Sequence, residues 1–91
     1  MNAHKDRLET MAAVMWIDLG RTWAVLDPTN EEKAAFVGSH AGCVEFREGL
    51  LLRLEIQTGY RLGHGGYAIR RLCEATDAEA AAIIACLESN D

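Results

Sequence analysis

The chain has 91 residues, 49% of them apolar and 25% charged, with a single proline; this is enough for one small core and too apolar for disorder over its length. Nine basic against 14 acidic side chains give a net charge of −5, which disfavours direct nucleic-acid or anionic-membrane binding and favours a partner with a basic surface. Cys43, Cys73 and Cys86 form no Cys-x-x-Cys pair, and His4, Lys5, Asp6, Arg7 and Glu9 crowd the first ten residues, so a disulfide framework and a signal peptide are both disfavoured and a cytoplasmic setting is expected.

Residues Ala3–Leu19 read as an amphipathic helix, because Leu8, Met11, Ala12, Met15, Trp16 and Leu19 share one face. Asn2 suits its N-cap and Gly20 the left-handed residue after its end. Thr22–Leu26 is a short extended piece ended by Asp27–Pro28. Pro28 and the Thr29-x-x-Glu32 spacing, which has the form of a capping box, predict a short helix that Gly38 stops.

The stretch Val44–Leu72 carries the longest apolar run and the main strand signals. Even positions Val44, Phe46, Leu50, Leu52, Leu54 and Ile56 alternate with Arg47, Arg53, Glu55 and Gln57, and Glu48–Gly49 falls where a tight turn belongs. This predicts a hairpin, Val44–Arg47 against Leu50–Ile56, whose solvent side carries Arg53, Glu55 and Arg71. A helical reading puts Cys43, Phe46, Leu50 and Leu54 on one face but drops Arg47 into it and leaves Leu52 and Ile56 outside. Residues 59–66 hold four glycines and read as a loop or as the turn of a second hairpin with Tyr60–Leu62 facing Tyr67–Ile69, and Ala68–Leu72 reads as a third strand or a helix start. Thr76-x-x-Glu79 is a capping box, and Ala80, Ile83, Ile84 and Leu87 mark the buried face of a last helix through residue 88. The expected architecture is one α+β domain over residues 1–88, a small antiparallel sheet packed on amino- and carboxy-terminal amphipathic helices, with a frayed tail at 89–91.

Charge is uneven along the chain. Arg53, Arg61, Arg70 and Arg71 face only Glu55 within residues 50–72, whereas Glu74, Asp77, Glu79, Glu88 and Asp91 stand without a base in residues 73–91. The plain explanation is that the two segments neutralise each other within the fold.

The residues raise four kinds of chemistry. The Gly63-His64-Gly65-Gly66 run with Arg61, Arg70 and Arg71 could cradle an anion, but no Gly-Lys-Ser/Thr follows it and no strand–loop–helix unit frames it. His40 and Cys43, with Cys73 and His64 elsewhere, lack the paired close spacings of a zinc site. The cysteines sit in apolar surroundings that make thiols inert, so no nucleophile or catalytic set stands out. Ala34, Gly38, Val44 and Glu48 loosely match helix-turn-helix offsets, but the second helix would carry Glu45 and Glu48 and few donors for DNA.

The expectation is therefore a protein-binding module without catalytic activity, cofactor or metal, working on a protein partner and as a homodimer. Its predicted contact residues are Tyr60, Arg61, His64, Tyr67, Arg70 and Arg71, of the types that interfaces enrich. Small inhibitors encoded by phages or mobile elements, including anti-CRISPR-type proteins, share this size and charge; that is an analogy of composition alone. The alternatives are a small-anion binder using residues 59–66 and a helix-turn-helix DNA-binding regulator.

Overall fold

The computed structural model describes residues 2–60, 63 and 66–89. Its elements run α1 (Ala3–Met15), β1 (Trp23–Val25), β2 (Phe36–Gly38), α2 (His40–Thr58), β3 (Ile69–Arg71), a 3-10 turn at Leu72–Glu74, and α3 (Asp77–Glu88). The strands form an antiparallel sheet in the order β2-β1-β3. Ala24 lies opposite Val37 on one side and Arg70 on the other. The α+β class is as the sequence predicts, with the terminal helices packed together on one side of the sheet.

Alternation along three-residue strands separates two cores. Ala24 and Val37 face α3 and α1, joining Leu8, Leu72, Ala80, Ile83 and Ile84. Trp23, Val25, Phe36 and Ile69 face α2, joining Cys43, Phe46, Leu50 and Leu54. The first core is rich in alanine (Ala24, Ala34, Ala75 and Ala80 are all buried), so Leu72 and Ile83 supply much of its volume. Each such side chain contributes roughly 1.5–3 kcal/mol on full burial.

The largest departure from the sequence reading is α2. Residues 44–56 are one turn-free helix, not a hairpin. Ser39 starts it: its Oγ accepts the Gly42 N–H at 3.0 Å. Gly59 ends it at φ 76, its N–H returning to the Glu55 carbonyl. Arg47, which sat awkwardly on the apolar face, donates from Nη1 to the Tyr67 carbonyl at 3.2 Å. The predicted sheet surface of Arg53, Glu55 and Arg71 is accordingly absent; the first two belong to α2.

Two helix boundaries also move. Trp16, not Gly20, takes the left-handed position after α1 (φ 59, ψ 35). The N–H groups of Trp16 and Ile17 both return to the Ala12 carbonyl, the latter at 2.8 Å. The helix expected after Pro28 is replaced by turns and β2. Asp27 Oδ1 accepts from both the N–H and the hydroxyl of Thr29, and Asn30 Oδ1 accepts the Glu32 N–H. Those local side-chain bonds compete with a helix start. With β2 ahead of α2, the first helix of a helix-turn-helix is missing. The capping box at Thr76 and Glu79 forms as predicted.

The sheet spans about 10 Å along its strands, whereas the nineteen residues of α2 extend about 28 Å. α2 is therefore much longer than the strands it packs on. The overall extents, 42 × 25 × 24 Å, reflect that elongation. Among the described residues, no helix is long and apolar enough to cross a membrane.

Candidate functional site

Of the six residues expected to form one contact surface, the four that the structure describes do not converge. Tyr60 stands 73% exposed just beyond the end of α2, its N–H donating to Thr58 Oγ1 at 3.2 Å. Arg61 and His64 lie outside the described residues. Tyr67 is buried in the α2-side core; burial, and secondarily the charge of Asp27, push its phenol pKa up. Arg70 and Arg71 occupy successive positions of β3 and so leave the sheet on opposite faces. Arg70 Nε lies 3.4 Å from Glu79 Oε1 on α3. The Arg71 guanidinium sits 4.7 Å over the Trp23 ring, with Nη1 3.6 Å from Glu74 Oε1. His40 meets the same indole edge-on at 4.6 Å between ring centroids. The basic and acidic segments thus pair internally in part, as their composition suggested.

Apolar exposure instead gathers at the ends of two helices. At the end of α1, Val14, Met15 and Trp16 are all exposed, Trp16 at 94%. A left-handed backbone costs a non-glycine residue roughly 1–2 kcal/mol, and here a bulky indole bears that cost while making little contact with its own chain. Along α2, Leu52 and Ile56 are 57% and 75% exposed, on the side away from Cys43, Leu50 and Leu54. The spacing that puts Met15 and Trp16 on one amphipathic face with Leu8 and Ala12 predicts their burial, and the structure exposes both. The helical path ends at Trp16 itself, and the turn that follows, in which the Asp18 carboxylate accepts the Gly20 N–H at 2.9 Å and the Arg21 N–H returns to the Asp18 carbonyl at 3.1 Å, keeps it from resuming.

A separate open depression of about 310 Å³ lies between the β1–β2 connection and α3, lined by Asp27, Glu31, Lys33, Ala78 and Glu79 among others. Its size is at the bottom of the range for small-molecule pockets. Among the described residues, no group of three His, Cys, Asp or Glu side chains could hold a metal ion. Burial raises the thiol pKa of Cys43, offset in part by a backbone hydrogen bond at Gly38, and that of Cys86, offset in part by Lys33; neither thiol is poised as a nucleophile.

Comparison with protein-family models, curated proteins and solved structures finds no match to this chain.

Proposed function

We propose that this protein is a non-catalytic binding module that docks on a protein partner through the apolar tip Val14–Met15–Trp16. The observation that carries the reading is Trp16: its backbone adopts a conformation that glycine would occupy at lower cost, and its indole stands in solvent. A strained, exposed tryptophan costs stability without a compensating contact inside the chain, and tryptophan is the side chain most enriched among residues that dominate interface energies.

The charge balance supports a partner with a basic contact surface. Asp6, Glu9, Glu31, Glu32 and Glu45 are exposed and form no ion pair with the described residues. Such charges steer association with a positive surface and make it sensitive to salt. A basic surface that otherwise holds nucleic acid fits this description, so the proposal extends to inhibition by occupation of that surface.

Trp16→Gly tests the reading because its two effects have opposite signs. Glycine relieves the left-handed backbone, raising Tm by a few degrees. Loss of the indole weakens the partner complex by about tenfold or more. The measurement is affinity capture from a bacterial lysate, purification of the captured protein, and isothermal titration against both forms at two salt concentrations. Equal affinity of the wild type and the variant for that protein, or the same captured set with both, overturns the proposal.

A further inference from the structure

We infer that α2 pairs, in parallel, with α2 of a second copy of this chain. The seam is the outward ridge of Gly49, Leu52 and Ile56. At about 100° per residue these three fall within roughly 60° of one another, on the side of the helix opposite the buried Cys43. A Cβ built on Gly49 would meet nothing within 4 Å, so the ridge has an open notch beside Leu52 where a neighbouring helix can approach closely.

Charge selects the occupant and its direction. Arg53 finds Gly49, Leu50, Ile56 and Gln57 at the positions three and four residues away, and Glu48 finds Val44, Glu45, Leu51 and Leu52. Neither therefore has an intrahelical counter-charge, and neither makes an ion pair with the described residues. The two lie five residues apart, on opposite flanks of the ridge. In a parallel helix pair that is the relation that brings one flank of the first helix against the other flank of the second. Two-fold symmetry then forms the Glu48–Arg53 contact twice. An antiparallel pair would set like flanks together and bring Glu48 toward Glu55 of the second copy. The complement of these two flanks is thus present on the chain itself, and Glu45, one turn before Gly49 on the same ridge, marks the amino-terminal limit of the seam.

Sedimentation equilibrium over the micromolar range tests the inference. The wild-type chain is expected to be a dimer, and Leu52→Glu and Ile56→Glu are expected to be monomers with an unchanged helical circular-dichroism signal. Arg53→Glu should weaken the dimer by about tenfold, and Glu48→Arg combined with Arg53→Glu should return it to within about threefold of wild type. In a Cys73→Ser background, Leu52→Cys should form an intermolecular disulfide under mild oxidation, as a parallel seam requires. A monomeric wild type, a dimer unaffected by Leu52→Glu, or a dimer whose Leu52→Cys form does not cross-link would each overturn the inference. Trp16→Gly should leave the dimer intact, so this result and the test of partner docking fail separately.

Discussion

Asp77 and His4, 73 residues apart, are joined at the start of α1: Asp77 Oδ2 lies 2.8 Å from His4 Nδ1, and Oδ1 accepts the His4 N–H at 3.0 Å. Oδ1 also accepts the Lys5 N–H at 3.1 Å. Asn2 makes no side-chain cap bond. The first turn of α1 is therefore capped by the first turn of α3, a contact that ties both ends of the chain to one carboxylate.

This cap gives a pH prediction. The His4 side chain first, then the Lys5 N–H, hold the Asp77 carboxyl below the usual carboxylate range. A group whose pKa falls on folding contributes stability that is complete above its unfolded pKa and is lost as the pH falls through the folded value. Tm should therefore decline in acid below about pH 4, and Asp77→Asn should flatten that decline while lowering Tm by a few degrees at neutral pH. Thermal melts of both forms from pH 7 down to pH 2 check it.

Gly38→Ala should destabilise the fold even though Gly38 lies in a strand. An added Cβ would sit 2.9 Å from Cε2 of Phe36, whose ring stacks on Phe46 at 4.9 Å between centroids. The stacked Phe46 ring opposes the shift that would relieve this contact, and overpacking of this kind costs about 1–3 kcal/mol. Phe36→Leu in the Gly38→Ala background should recover part of the loss, a coupling readable by denaturant titration.

Arg71 and Arg70 should differ although they are neighbours in sequence. Arg71→Ala removes a cation held over Trp23, worth about 0.5–2 kcal/mol, and should also shift Trp23 fluorescence in a Trp16→Gly background. Arg70→Ala removes a partly exposed ion pair with Glu79 and should cost less, since such pairs contribute about 0–1 kcal/mol.

The three thiols should react in a fixed order. Cys73 is exposed, Cys86 half-buried and Cys43 buried, and burial raises the pKa of the latter two. Ellman's reagent should titrate one thiol rapidly, a second slowly, and Cys43 only on unfolding. Fast modification of Cys43 in the native protein would contradict the packing of α2 on the sheet.

Which elements could be read from sequence follows from the distance over which their determinants act. For α3, cap and buried face are all local: Thr76, Glu79, Ala80, Ile83 and Ile84 lie within a few turns, and the helix forms where they predict it. For α2 the determinants are long-range. Arg47 looks misplaced on a helical face until the Tyr67 carbonyl, twenty residues on, accepts its hydrogen bond. Leu52 and Ile56 imitate a strand period because they face outward rather than into the chain's own core. The strands are only three residues long, too short for alternation to declare a face. The placement of the expected contact residues was hidden for the same reason: composition singles out tyrosine and arginine, but packing against α2 buries Tyr67 and the register of β3 sends Arg70 and Arg71 to opposite faces.

The cap on α1 has a consequence for biosynthesis. Synthesis proceeds from the amino end, so α1 leaves the ribosome long before Asp77, Ile83 and Ile84 exist, and the middle strand must wait for β3 to complete its second edge. Until then Leu8 and Met11 lack the α3 side of their core, and the nascent chain shows them to chaperones and proteases. A premature stop before α3 should leave the whole product without its first core, not merely shorten it.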